Sequence, residues 1–283
     1  MFARARALRP DSVINACVAC RSLCRKLCDG LIAIFFTTAA LHAADRIPAT
    51  GGDIVITPLI HSSVQIEHAG RVIQVDPWSV GDLSQAKPAD LILITDDVGH
   101  HLDVKAIGAL RKPGAPVVMP ASGQKRIPDG IVLPNGKTTT AAGVTVESVA
   151  AYDIKPGAPE HPKGEANGYV LTVGGKRILF AGVTECVPEV LALKNIDVAF
   201  MPMNIPVDRM TPKAAAECTK KINPKVVYVY HYDQDYATRA VSATAKLNDG
   251  VNRESPDLGI QDFANELKGT SIEFKRGAWY SKK

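Results

Sequence analysis

Uncompensated charge, long apolar runs and cysteine outside the N-terminal segment are all scarce in this chain, and each scarcity excludes something. The net charge is +4, from 33 basic and 29 acidic residues. Residues 1–43 hold six of the basic and two of the acidic side chains, which leaves 27 of each in the remainder. A chain so balanced lacks the uncompensated basic face that a polyanion requires, so no nucleic-acid partner is expected. The apolar stretch Leu31–Leu41 (LIAIFFTTAAL) is too short to span a bilayer as a helix, so no stable membrane insertion is expected. After residue 43 only Cys186 and Cys218 remain; one disulfide is possible, and sequence alone cannot pair them. Repeats, low-complexity tracts and an internal linker are also missing, which favours one domain over 44–283.

What is present begins with a leader. Arg4, Arg6, Arg9, Arg21, Arg25 and Lys26 precede the apolar stretch, and small residues follow it at Ala43 and Ala44. Basic, apolar, small is the order of a secretory signal, so residues 1–43 are expected to be cleaved and the protein to be secreted or periplasmic. An uncut membrane anchor is the rival reading. Cys17, Cys20, Cys24 and Cys28 resemble a zinc knuckle, but a segment that is removed cannot hold a structural metal. Cys28 precedes the apolar run, which argues against a lipidated cysteine.

From Asp53 onward, β-branched runs alternate with turn residues. DIVITPLI, SVQIEHAG and RVIQVDPW are predicted strands, with a hairpin turn at HAGR. Leu91–Thr95, APVVMP, GVTVESVAAY, GYVLTVGG, KRILFAG, IDVAFMP and KVVYVYHY follow as strands. Helices are expected at Asp103–Leu110 with Asp103 as N-cap, at TPKAAAECTKKI capped by Thr211 with Pro212 in its first turn, and at DLGIQDFANELK. Pro188–Leu193 predicts a helical turn or two, and SIEFKR closes the chain. Two sheets packed together with helices outside fit this mixture.

The histidines are placed unevenly. His61, His100 and His231 each follow a β-like run, and His161 lies in the loop KPGAPEHPKGEANGY. Loops at strand ends are where rigid scaffolds present chemistry. His68 sits in a hairpin turn and is given no role.

IHSSVQIEHAGRVIQVDPW, LILITDDVGHHLD, HPKGEANGYVLTVGGKRILFAGVTE, LKNIDVAFMPMN and VVYVYHY together resemble the metallo-β-lactamase superfamily, in particular its ascorbate-phosphate-lactonase-like branch, over nearly all of Asp53–Lys275. The resemblance implies an α/β fold, a four-layer αββα sandwich, with metals at one edge. In the family an H-x-H-x-D-H loop aims several ligands at one point because alternate residues of an extended loop face one side. Here that motif is degenerate. Asp96 stands for the first histidine, Val98 for the second, His100 for the aspartate, and Val183 for the bridging aspartate after the third-histidine segment. His101, His161 and His231 match. One pocket is thus reduced to Asp96 and His161, while the other keeps His100, His101 and His231.

Counting charge favours one metal over two, since both family aspartates are lost and only Asp96 is gained. The expected centre is mononuclear: His100, His101 and His231 as ligands, with His161 or Asp96 completing the shell. The expected ion is one divalent metal, zinc by its match to three imidazoles plus water; iron or manganese would suit a shell that admits Asp96. The expected activity is hydrolysis of a small ester, lactone or amide by a metal-bound water, with Asp96 or His161 as catalytic proton acceptor. Glu185, two residues after Val183, is a candidate replacement carboxylate. Two other readings stand beside this one: a metal-free binding or scaffold protein on the same fold, and a mononuclear iron, oxygen-dependent enzyme. Asp76 reads as a buttress, Tyr152, Tyr230 and Tyr232 as packing residues, and Cys186 as a buried, inert cysteine.

Overall fold

In the first sheet the strands run in simple chain order. They are β1 (Asp45–Ile47), β2 (Ile54–Ile60), β3 (Ser63–His68), β4 (Arg71–Val75), β5 (Leu91–Leu93), β6 (Val117–Met119) and β7 (Ile131–Val132), each paired with its neighbour. The second sheet contains β8 (Thr138–Ala141), β9 (Val144–Ala151), β10 (Ala166–Val173), β11 (Lys176–Phe180), β12 (Val198–Pro202), β13 (Val226–Tyr230) and β14 (Glu273–Phe274), again in order. In both sheets the first four strands are antiparallel and the later pairs parallel. The computed structural model describes residues 44–157, 159–203, 209–233 and 256–279. The expected signal segment, 1–43, lies outside the described residues.

Side-chain alternation creates the layers. Leu91 and Leu93 of β5 face the main core, among residues of both sheets such as Ile56, Ile66, Tyr169 and Phe180. Ile92 and the following Ile94 face the other way and join Ile107, Val117 and Met119 beneath the helix Val104–Leu110. On the second sheet, the helices Pro212–Ile222 and Pro256–Glu266 pack on each other, and the first also touches β12. The expected αββα arrangement is what these contacts build.

Local signals hold where they carry a mechanism. Asp103 caps its helix by accepting from the Lys105 and Ala106 amides, and Thr211 accepts from Ala214 N with Pro212 next to it. The hairpin turns at Ala69–Gly70, Ala142–Gly143 and Gly174–Gly175 each place left-handed residues at both central positions. The strands missing from the sequence reading are β1, β7 and β8. All three lie at sheet edges, where one side of the backbone needs no partner and the residues need not be apolar.

Candidate metal centre

The parallel strands deliver their C-terminal ends to one edge of the sandwich, and the chemistry collects there. His61 follows β2, Asp76 follows β4, Asp96, His100 and His101 follow β5, and His231 follows β13. The two sheets are stitched at this edge: Asn167 N donates to Thr95 O at 2.8 Å, and the Tyr169 hydroxyl donates to Ile94 O at 2.8 Å.

His61, His100, His101 and His231 converge. One ring nitrogen from each lies within 4.8 Å of the others. Ring centroids are 3.9 Å apart for His61 and His231, 4.5 Å for His100 and His101, and 6.1 Å for the widest pair, His61 and His101. Trp78 covers the group from one side, 5.9 Å from His61 and 6.0 Å from His100.

Two buried carboxylates hold the rings from behind. His101 Nδ1 lies 2.6 Å from Asp76 Oδ2 and within reach of the Thr95 and Ser62 hydroxyls. Asp76 is itself fixed by the Thr95 amide at 2.8 Å and the Thr95 hydroxyl at 2.6 Å, which makes it the buttress the sequence suggests. His61 Nδ1 pairs with Asp233 Oδ1 at 2.7 Å. The opposite nitrogens, His61 Nε2 and His101 Nε2, are buried without a hydrogen-bond partner, as are both nitrogens of His231. Buried polar atoms are ordinarily satisfied, and orphan nitrogens on three rings of one four-histidine cluster are what a metal ion would satisfy.

Electrostatics agree with that fit. Burial, followed by the neighbouring imidazoles, holds His61, His100 and His231 well below the ordinary histidine range. Burial likewise lowers His101 to about 4. All four rings are therefore neutral at pH 7, the form that ligates metal. Burial raises Asp76 to about 8 against the Thr95 and Ser62 hydrogen bonds, and Asp233 to about 7. A cation between the rings supplies the positive charge that these two carboxylates otherwise lack.

Asp96 and His161 form a separate pair beside the four rings. Asp96 Oδ1 accepts from Asp97 N at 2.7 Å, and Asp96 Oδ2 lies 3.5 Å from His161 Nε2, buried and without a hydrogen bond. Behind His161, Asp153 Oδ2 lies 3.5 Å from Nδ1 and accepts from the Glu160 and His161 amides. The structure thus brings His100, His101 and His231 together and sets Asp96 and His161 next to each other outside that group. Glu185 does not replace the lost carboxylate: its Oε2 accepts from the Ile154 and Lys155 amides and lies 3.7 Å from Arg209 Nε. Val183 is 2% exposed in the main core, while Val98 is 39% exposed on the loop before His100. Only one of the two valines is therefore solvent-exposed. Cys186 is neither inert nor a thiol, because it is half-buried and disulfide-bonded to Cys218, tying the segment after β11 to the helix Pro212–Ile222.

His61 and Asp233 are candidate site residues to which the sequence reading gave no role. His61 shares with His231 a position immediately after a strand, the one signal that could have found it.

A β-lactamase superfamily domain model matches residues 55–231. A UPF0173 metal-dependent hydrolase of Pyrobaculum arsenaticum is 28% identical over 189 residues, 61% of this chain and 81% of that one. A crystal structure from Parabacteroides distasonis, of a protein assigned as a candidate metal-dependent hydrolase, is 33% identical. It superposes with a TM-score of 0.71 over 84% of this chain and 100% of its own. The metallo hydrolase Igni18 of Ignicoccus hospitalis shares the fold at a TM-score of 0.60 and 19% identity, covering 79% of this chain and 94% of its own. The matched span runs from β2 to His231 and so takes in every element that carries a residue of the centre: this chain belongs to the metallo-β-lactamase superfamily.

Proposed function

We propose that this protein is an exported metal-dependent hydrolase that cleaves small esters, lactones or amides at a mononuclear centre. The observation that carries the proposal is the convergence of four imidazoles, three of them buried with nitrogens that have no hydrogen-bond partner. His100, His101 and His231 would hold the metal, with zinc as the expected ion. Bound there, the metal supplies Lewis acidity and brings the acidity of water toward neutral pH.

The chain's own residues do the rest. Asp76 fixes the orientation of His101 and leaves its Nε2 facing inward. Asp96 Oδ2 accepts the proton of the attacking water, while the Asp97 amide on Oδ1 holds that carboxylate in place and His161 Nε2 lies 3.5 Å from Oδ2. Asp153 anchors the His161 loop through two backbone amides. The exposed Val98 offers an apolar surface beside His100, which suits an uncharged substrate better than an anionic one. Metal-dependent hydrolase relatives supply the reaction class. The ascorbate-phosphate-lactonase-like branch remains a resemblance of the motifs and adds no substrate.

Export is supported by the basic–apolar–small leader and by the Cys186–Cys218 bridge, a bond that reducing compartments disfavour. Among the described residues no helix is long and apolar enough to cross a membrane.

The test is elemental analysis of tag-free protein combined with a panel of ester, lactone and amide substrates. About one metal per chain, with hydrolysis abolished by chelation and by His101→Ala or His231→Ala, is the expected result. Folded protein that takes up no metal on reloading points instead to the binding or scaffold reading. Iron as the resident ion with oxygen consumption points to the oxygen-dependent one.

A further inference from the structure

The superfamily ligand positions that His100, His101 and His231 occupy in this chain do not include His61, yet His61 stands in the same cluster. We propose that His61 is a fourth protein ligand, held for that task by Asp233, so that the metal sits in an all-imidazole shell; this rests on the metal-dependent reading above.

Three observations carry it. His61 is 1% exposed, its Nε2 has no hydrogen-bond partner, and one of its ring nitrogens lies within 4.8 Å of the donor atoms of the other three rings. A histidine kept only for packing would have both nitrogens satisfied or one in water. Its Nδ1 is taken by Asp233 Oδ1 at 2.7 Å, which leaves Nε2 as the coordinating atom. His101 is oriented in the same way by Asp76, and a carboxylate behind the ring is the usual support of a ligating histidine. The backbone gives the third observation. His61 (φ 55°) and His231 (φ 56°) both occupy the left-handed region, and His231 N donates to His61 O at 3.1 Å. Two unfavourable conformations joined by one hydrogen bond set the rings 3.9 Å apart, as expected where strain serves a site.

The chemistry of such a shell follows. Four neutral imidazoles bring no negative charge to the ion. The two charges of a dication would be offset from behind the rings, by Asp76 on His101 and Asp233 on His61. Nitrogen donors favour zinc, copper, nickel and iron over magnesium, calcium and manganese, which prefer oxygen. Four protein ligands would fill the four positions usual for zinc, so an additional ligand would need a fifth.

The experiment uses the full tag-free chain, stripped with a chelator and reloaded with Zn²⁺. Stoichiometry is read by elemental analysis and affinity by competition with a chromophoric chelator, for wild type, His61→Ala, Asp233→Asn and His68→Ala. His68 lies in the β3–β4 hairpin, with its Nε2 on Thr50 O, and serves as control. The expected loss of affinity is roughly 10–100-fold in the first two variants, with none in His68→Ala. Folded His61→Ala with wild-type affinity overturns the proposal. Should His61→Ala fail to fold, pulsed EPR of Cu²⁺-loaded wild type counts the coordinated imidazoles directly: four support the proposal and three overturn it. Wild type that binds neither Zn²⁺ nor Cu²⁺ overturns the functional reading as a whole, whereas a three-imidazole centre removes His61 alone.

Discussion

At Asp96 one carboxylate oxygen is engaged by the next amide while the other is buried, faces His161, and lacks a hydrogen bond. Burial, opposed by His101 and His161, raises its pKa, so the group is poised to take a proton. Asp96→Asn keeps the shape and removes that capacity. Hydrolysis should fall about 10²–10⁴-fold with metal content unchanged, measured as kcat beside elemental analysis. Equal loss of metal would instead make Asp96 a ligand. Asp90 gives a separate residue-scale test away from the site. Its carboxylate accepts from Lys112 Nζ at 2.8 Å and Val72 N at 2.9 Å, and these bonds, the lysine's first, hold its pKa below the usual range. A depressed folded pKa means stabilisation that is present above the unfolded value and lost as pH falls through the folded one. Asp90→Asn should therefore destabilise by about 1 kcal/mol at neutral pH. The gap should narrow below about pH 4, read from urea midpoints across pH.

Among the elements, the segment after β11 shows how a position can keep its place and change its task. Where the family has a bridging aspartate, Val183 turns into the core, and two residues later Glu185 straps the His161 loop through the Ile154 and Lys155 amides. Cys186 then anchors the same segment to the helix Pro212–Ile222 across a sequence separation of 32. Closing a loop of that length restricts the unfolded chain by roughly 3–4 kcal/mol in the chain-entropy picture. Reduction, or Cys218→Ser, should lower the urea midpoint accordingly, and unchanged stability on full reduction would refute it. At the N-terminus of the helix Val104–Leu110, Asp103 serves two elements at once. One oxygen caps the helix and the other accepts from Ser79 N at 2.8 Å, fixing the loop after Trp78. Asp103→Ala should cost about 1–2 kcal/mol in equilibrium unfolding, more than an exposed cap alone.

For the whole molecule, two sheets of like topology meet face to face, and the site forms where their parallel strands end together. Its four rings come from both sheets: His61, His100 and His101 from the first, His231 from the second. A metal gripping all of them links the layers and binds only the folded chain, so it stabilises by mass action. Chelation should lower the Tm and Zn²⁺ should restore it, with His101→Ala insensitive to both; a Tm indifferent to metal in wild type would contradict the centre.

The sequence by itself determined the layers and most of their elements. Period-two alternation, left-handed hairpin turns and side-chain caps act over a few residues and are visible in any short window. It also marked the loop around His100 and His101 as altered from its family pattern, because the missing donors at Val98 and Val183 are plain from residue type. The tertiary structure decided everything that depends on residues far apart. Asp233 is 172 positions from His61 and Cys218 is 32 from Cys186, and neither pairing leaves a local trace. Whether Glu185 faces the cleft or the backbone of a neighbouring loop is a matter of a few ångströms that alternation cannot settle. The edge strands escaped for a related reason, since an edge is defined by the partner it lacks. Composition and pattern act locally, whereas a metal site is a coincidence in space of side chains that only packing brings to one point.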